Sequence, residues 1–438
     1  MREPIANSRA VIIGGGVVGC AIFRRLAMAG LEPLLVEAAA DILDGASKGN
    51  SALLHTGFDA PEGSIELDCM QAGYREYMAI RDRLNLPLVE SGALVVAWDE
   101  EQLAKLPAIV EKAHRNGVRD VAQIDRAELR KREPFLSERA LGAVHVPGEH
   151  IIDPWSAPLA YAHQGLAHGG RILRRCRVTG GDFDGSRWML ETTRGPISAE
   201  VVVNAAGNYG DLVEAINRDS PFTITPRKGQ FVVFDKPASK LLHAIILPVP
   251  TERTKGVVAC RTAFGNLLVG PTAEDQQDRG RAEVDRSTLE RLIAKGIEMI
   301  PDLAHHTVNA IYAGLRPATQ FKDYQIAIDR QRRWITVGGI RSTGLTAALG
   351  IAQMVGRSFG MFGGGRDEEP IWTPVPNLTE DRPRPYLSEA GGDIVCHCEL
   401  VTRSEIDAAL EGPLPAGDLG GLKRRTRCMM GRCQGFYC

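Results

Sequence analysis

The chain lacks a dominant charge: 52 Lys and Arg stand against 54 Asp and Glu, a formal net charge of −2 over 438 residues. Domains held on nucleic acid by bulk electrostatics are strongly basic. The balance therefore excludes that class and leaves small-molecule chemistry as the expectation. The chain also lacks a long apolar run. Nowhere do about 18 uncharged apolar residues follow one another, so it is expected not to span a membrane. The opening MREPIANSRA is short and polar, without the apolar core of a secretory signal, which predicts a cytoplasmic protein that meets a membrane, if at all, through a partner. Solenoid repeats and low-complexity tracts are absent as well. With hydrophobic residues at 44% and charged residues at 24%, disorder is not expected, and the length predicts two or three domains.

Glycine and a local crowd of cysteines are what the sequence does have. In AVIIGGGVVG, Ala10 to Ile13 read as a buried parallel strand, and a helix begins at Val17. LEPLLVEAA supplies a second strand, which completes one strand–helix–strand unit of an α/β fold. Gly14, Gly16 and Gly19 form G-x-G-x-x-G between strand and helix: the first permits the tight turn, the second admits a pyrophosphate to the backbone, and the third lets helix and strand pack. Glu37, at the end of the second strand, is placed to accept from ribose hydroxyls. Together these predict dinucleotide binding. EVVVNAAG, with Ala206 and Gly207, repeats the strand ending in small residues, and RRWITVGGIRSTGLTAALGIAQMVG supplies a third strand, glycine turn and helix. In HIIDPWSAPLAYAHQGLAHGG, Asp153 is expected to cap a helix, with Pro154 in its first turn and Gly169-Gly170 at its end.

The nucleotide domain is therefore expected to be discontinuous, built from 1–85, 148–219 and 313–365. Alternating runs such as GALVVAW, GQFVVFD and GVVACRTAFGNLLVG place an antiparallel-sheet substrate domain in 86–147 and 220–312. Proline and acidic residues mark 366–392 as an extended linker, and a small helical cysteine-rich domain follows in 393–438.

NAD and FAD share the glycine fingerprint. The remaining motifs resemble the FAD-dependent family that contains D-amino-acid oxidase, glycerol-3-phosphate dehydrogenase and L-2-hydroxyglutarate dehydrogenase. The resemblance covers roughly residues 9–360 and is carried by GGGVVG with Glu37, SKGNSALLHTGFDAP, VVNAAG, GLRPAT and GGIRSTGLTAALGIA. It implies a Rossmann-like FAD domain in which Ser47, Asn50 and Ser51 also line the cofactor site. The backbone around Gly338, Gly339, Gly344, Leu345 and Thr346 would lie by the flavin, since amides at a helix N-terminus suit an electron-rich edge.

Flavin oxidation of an alcohol or amine needs a group to take the proton and a cation to hold an acidic substrate. His55 in LLHTGF is the candidate base, and Arg316 in GLRP is the candidate carboxylate or phosphate clamp, because its planar guanidinium can bind either group two-pronged. Lys255 and Arg341 are further cations of that kind. The segments LPVPTERTKGVVA and GNLLVGPTAEDQQDR resemble the large subunit of anaerobic glycerol-3-phosphate dehydrogenase, whereas GGIRSTGLTAA looks more like the L-2-hydroxyglutarate dehydrogenase version. The expected activity is a dehydrogenase acting on a small anionic 2-hydroxy acid or a glycerol 3-phosphate-like alcohol. An amine or imino-acid dehydrogenase on the same fold is the alternative.

Of the nine cysteines, Cys396, Cys398, Cys428, Cys433 and Cys438 crowd the tail, which reads as a metal site before it reads as a disulfide framework. Thr402 with Glu405 forms a capping box, and Asp418 can cap a second helix, so two helices would carry two cysteine pairs to one place. This tail resembles the bacterioferritin-associated ferredoxin-like [2Fe–2S] domain, which implies Cys396, Cys398, Cys433 and Cys438 as ligands, leaves Cys428 spare and makes His397 a bystander. Lys423, Arg424, Arg425, Arg427 and Arg432 are near enough in sequence to offset the thiolate charge. Zinc is the alternative metal, though Cys-x-Cys is an uncommon zinc spacing. A cluster implies onward transfer to an electron-accepting protein subunit or a quinone-linked acceptor. Relatives usually continue past the last ligand, so either the natural chain extends beyond Cys438 or its cluster is more exposed than theirs.

Overall fold

The computed structural model describes residues 3–250, 256–388 and 391–438. It is a mixed α/β structure built on two large sheets. The first takes the strands Val178–Phe183, Trp188–Thr192, Ile197–Asn204, Ala6–Ile13, Leu34–Val36 and Arg171–Leu173 in that spatial order, with Trp334–Gly338 beside Ile197–Asn204 and Gln325–Asp329 on its outer edge. The central strands run parallel, with Ile13 opposite Asn204 on one side and Val36 on the other. Ala10, Val11 and Ile12 are fully buried, as parallel strands covered on both faces must be.

The helices Val17–Met28, Ile65–Leu84, Ser156–Ala167 and Gly344–Phe359 pack over this sheet in one apolar core that includes Phe23, Tyr77 and Tyr161. Trp188 and Trp334 close the opposite face, 4.9 Å apart and fully buried. The start of Ser156–Ala167 differs from expectation. Asp153 accepts from the Trp155 amide at 2.8 Å, but the helix begins three residues later, at Ser156, without a side-chain cap.

The second sheet runs Glu274–Asp275, Ile224–Phe234, Leu267–Gly270, Val258–Arg261, Ile245–Pro248, Ala93–Ala97, Gly142–Val146 and Ala122–Asp125, with the long strand Val308–Thr319 on Ile224–Phe234. All its pairings are antiparallel except Ile245–Pro248 on Ala93–Ala97. Along GQFVVF, alternate side chains enter apolar clusters on opposite faces, Phe231 in one and Val232 and Phe234 in the other. The tail contributes a short hairpin, Ile394–Cys396 with Val401–Thr402, and the helices Arg403–Glu411 and Leu419–Thr426. The capping box of Thr402 with Glu405 and the Asp418 cap both form as their sequence signals require. Among the described residues, no helix is long and apolar enough to cross a membrane.

Candidate active site

A cavity of about 530 Å³ opens where the parallel strands end and reaches across to the second sheet. Its first half is backbone. Gly14 has φ +111°, and a Cβ there would lie 2.5 Å from the Ala205 carbonyl oxygen. A Cβ on Gly19 would run into the Gly14 carbonyl oxygen. The two glycines let the strand end, the turn and the next strand's end close on one another, and they leave Gly14, Gly16 and Val17 on the cavity wall. The helix Val17–Met28 has no acidic residue in its first turn, so its positive end faces the cavity uncompensated. Ser47 Oγ accepts from the Val17 amide at 3.0 Å. Glu37 accepts from the amides of Gly15 and Ala39, each at 2.7 Å. Burial raises its pKa, against the pull of those amides. Each carboxylate oxygen keeps a second lone pair for a ribose hydroxyl. Ala206 and Gly207 line the opposite side, Gly207 at φ +56° with open space where a Cβ would sit.

The second half of the cavity is lined by Ser51, Gly339, Arg341, Gly344 and Leu345. Asn50 also lines it, but its side chain is spent on the turn: Nδ2 donates to the Ser47 carbonyl at 3.0 Å and Oδ1 accepts from Ala52 at 2.8 Å. Two expected cofactor residues are placed elsewhere. A Cβ on Gly338 would lie 2.5 Å from the Phe222 ring, so Gly338 serves packing and does not line the cavity. Thr346 is buried, and its Oγ1 accepts from the His55 amide at 3.0 Å; it anchors the loop of the candidate base.

His55 is set by strand register. Leu53 and Leu54 pair antiparallel with Ile151 and His150, which puts His55 across from Glu149. Glu149 Oε2 lies 2.7 Å from His55 Nδ1, and Oε1 accepts from the amide and hydroxyl of Thr56 at 2.6 and 2.8 Å. The Glu149 side chain is completely buried. An acceptor-only carboxylate at Nδ1 fixes the tautomer: the proton sits on Nδ1 and the lone pair on Nε2. Glu149 is the residue that sequence reasoning misses. Its only local signal is an acid in the turn PGEH ahead of a short apolar strand.

Arg316 lines the cavity from the strand Val308–Thr319, opposite Arg227. Its Nε donates to the Arg227 carbonyl and its Nη2 to the carbonyls of Lys228 and Thr272, at 3.2, 3.2 and 2.6 Å. Among the described residues no carboxylate pairs with it, and its Nε and Nη2 are spent on the backbone instead. Burial, with Arg227 and Arg341 nearby, pushes its pKa down to about 10, which keeps it charged at neutral pH. Its neighbours are neutralised separately, Arg227 by Asp275 at 2.7 Å and Lys228 by Glu274 at 3.1 Å. Arg341, at φ +54°, donates to the Lys322 carbonyl at 2.6 Å. Lys255 lies outside the described residues.

In the tail, the thiols of Cys396, Cys428 and Cys438 lie within 4.8 Å of one another. Cys428, spare in the sequence pattern, is thus in the group and 4% exposed. Cys398 sits against Cys433: the Cys433 amide pulls its thiol down, but burial and the thiols of Cys433 and Cys396 raise it overall. Backbone amides of Tyr437 and Gly435, with Cys398, lower Cys433 to about 7. The thiols within metal-binding reach of one another among the described residues are thus Cys396, Cys428 and Cys438, with Cys398 and Cys433 paired to each other, and thiols so placed fit a thiolate-bound metal. The cationic run, expected to offset the thiolate charge, is largely engaged by other anions, although Arg432 also acts on Cys398. Arg425 pairs with the buried Asp41, at 2.5 and 3.0 Å, and Arg427 with Glu399 at 2.9 Å. Arg427 also lies 3.8 Å over the Phe264 ring, and Arg432 pairs with Asp235. These cations dock the tail onto the body.

Comparison with known proteins agrees with this geometry. The chain is 29% identical to a glycerol 3-phosphate dehydrogenase of Caloramator mitchellensis, over 98% of this chain and 91% of that one. It is 28% identical to a component of the anaerobic glycerol-3-phosphate dehydrogenase of Escherichia coli K12, over 99% of this chain and 86% of that one. Among solved structures, the L-alpha-glycerophosphate oxidase of Mycoplasma pneumoniae with FAD bound superposes with a TM-score of 0.78 at 25% identity, covering 85% of this chain and all of that one. The family model described as FAD dependent oxidoreductase matches residues 9–357. With that match spanning the glycine cradle, His55, Arg316 and nearly all of the helix Gly344–Phe359, the chain belongs to the family of FAD dependent oxidoreductases.

Proposed function

We propose that the protein is a flavin-dependent dehydrogenase that oxidises the hydroxyl-bearing carbon of a small anionic alcohol, of the glycerol 3-phosphate or 2-hydroxy acid type. Electrons would leave through a [2Fe–2S] cluster in the tail to a partner subunit or quinone-linked acceptor. FAD supplies the hydride acceptor when bound, held by the Gly14–Gly19 turn, Glu37, the Ser47–Ser51 loop and the start of the helix Gly344–Phe359. Cys396, Cys398, Cys433 and Cys438 would hold the cluster, which supplies a one-electron exit; Cys428 stands beside them.

The observation that carries this reading is the dyad of His55 and Glu149, 2.7 Å apart, tied through Thr346 to the helix start that lines the cofactor cavity. Nε2 of His55 takes the substrate hydroxyl proton. Glu149 steadies the imidazolium that results, and being buried with two further donors on it, it does so without moving. Arg316 holds the carboxylate or phosphate of the substrate. Its own carbonyl bonds fix the guanidinium plane in advance, which lowers the cost of ordering it. The extent of likeness supports the electron exit. The two relatives named dehydrogenases align over 98% and 99% of the chain, and so into the cysteine tail, whereas a Mycoplasma pneumoniae relative named glycerol 3-phosphate oxidase aligns over 78%.

The test is anaerobic mixing of the flavin-loaded protein with glycerol 3-phosphate, L-2-hydroxyglutarate, other 2-hydroxy acids and amino acids. An anionic alcohol is expected to bleach the flavin band, and His55→Ala to slow that bleaching about 10²–10⁴-fold. Bleaching by amino acids alone would replace the alcohol reading. No bleaching by any of them would remove the enzyme reading.

A further inference from the structure

A second cavity, of about 670 Å³, lies between the helix Ser156–Ala167, the linker and the tail helices. It is independent of the flavin site. Its wall collects buried polar atoms that have no partner among the described residues: Asp153 Oδ2, Ser156 Oγ and the Nε atoms of Arg384, Arg424 and Arg425. Buried polar groups in folded proteins are almost always hydrogen-bonded, so this concentration marks a place where something polar belongs. The helix Arg403–Glu411 roofs the cavity and buries none of its own residues. Ile406 packs, partly buried, against the cluster of Cys396, Val401 and Cys428, while Glu405, Ala408 and Ala409 line the cavity.

The chemistry of the absent partner follows from charge. Arg425 is neutralised by Asp41, at 2.5 Å, and Arg384 by Glu405, at 2.7 Å. Arg424 is not neutralised in this way. It is 4% exposed, donates Nη2 to the Ile42 carbonyl at 3.0 Å, and among the described residues has no carboxylate closer than Asp44, at 4.0 Å, with Asp41 and Asp418 farther off. A buried cation without a close counter-charge is costly. Water can complete a hydrogen bond here, but it does not balance the charge. Burial raises the pKa of Asp153, 1% exposed, against the pull of the Trp155 and Ser156 amides. The other orphans, the Ser156 hydroxyl and the Nε–H groups of Arg384, Arg424 and Arg425, can all donate, which is the complement of an oxyanion.

We propose that this cavity is a binding site for a small oxyanion, a phosphate or carboxylate, held by Arg424 with Arg384 and Ser156. An anion there would bridge body, linker and tail, and would set how firmly the tail is docked.

The test is calorimetric titration of the full-length, FAD-loaded protein with inorganic phosphate and, separately, malonate. Saturable binding of either probe is expected at a site that persists in Arg316→Gln, beside any binding at the Arg316 clamp. Arg424→Gln and the cavity-filling Ala409→Trp should each weaken it at least tenfold, while Arg316→Gln leaves it unchanged and all three variants keep their flavin. Flavin-band absorbance and a single cooperative melt confirm that each variant is folded. Absence of saturable binding would mean a water-filled cavity and overturn the proposal. So would binding lost in Arg316→Gln but kept in Ala409→Trp, which would place the anion in the active site.

Discussion

The glycine cradle and the cysteine tail are built in opposite ways. The cradle is backbone: Gly14, Gly16, Gly207 and the amide of Val17 line it, and the closest side-chain contributions are the Ser47 hydroxyl and the two carboxylate oxygens of Glu37. It is assembled within one strand–turn–helix unit and a neighbouring strand. The tail is side chain. Its thiols converge only if a segment of some 40 residues, in two short helices and a two-stranded hairpin, is seated by distant partners: Asp41 for Arg425, Phe264 for Arg427 and Asp235 for Arg432. So small a unit buries too little to be stable alone. The cradle should therefore fail through sterics at one atom, and the tail through loss of its anchors.

The largest effect is expected in the cradle. Gly14→Ala places a Cβ 2.5 Å from the Ala205 carbonyl oxygen at φ +111°, so FAD recovered per chain should fall more than tenfold while metal content stays unchanged. Next is the anchor. Asp41→Asn leaves the buried Arg425 unpaired, a loss of about 3–5 kcal/mol. Amide exchange in Arg403–Glu411 and Leu419–Thr426 should rise while flavin content holds. Burial opposes the ionisation of Asp41, but Arg425 and the Gly417 amide outweigh it and hold its pKa below the ordinary value. A depressed acid stabilises above its unfolded pKa, so tail protection should persist above about pH 3.9 and decline as pH falls below it.

A smaller effect separates chemistry from architecture. Glu149→Gln should slow anaerobic flavin reduction about tenfold to a hundredfold, less than His55→Ala, with FAD affinity unchanged. It should also lower the apparent pKa of the reduction step, because the imidazolium loses its counter-charge. The smallest concerns Cys428. Cys428→Ser should keep bound metal where Cys433→Ser loses it, read by metal analysis. Equal loss in both would make Cys428 a ligand, as its place within 4.8 Å of Cys396 and Cys438 allows.

Legibility in the sequence follows the same division. The glycine turn, Glu37 and the helix caps at Thr402 and Asp418 depend on neighbours a few residues away, and all are readable from spacing. Glu149 is not, because its partner His55 stands 94 residues earlier and only the pairing of Leu54 with His150 brings them together. Gly338 misleads because a glycine after a strand can serve either a ligand or a packed ring, here Phe222. The tail cations look like neutralisers of thiolates because sequence proximity cannot reveal Asp41, Glu399 or Asp235 as competing anions. The second cavity has no sequence signal, since its wall comes from four separated stretches: Asn85, 153–163, 375–385 and 404–425.

The central claim joins the two regions: an anionic alcohol oxidised in the body delivers electrons to a thiolate-bound cluster in the tail. The most direct measurement is low-temperature electron paramagnetic resonance on the FAD- and iron-loaded protein after anaerobic addition of glycerol 3-phosphate or L-2-hydroxyglutarate. A reduced [2Fe–2S] signal is predicted, growing as the flavin band bleaches and absent in Cys433→Ser. Flavin bleaching with no such signal, in protein whose tail carries zinc or no metal, would contradict it.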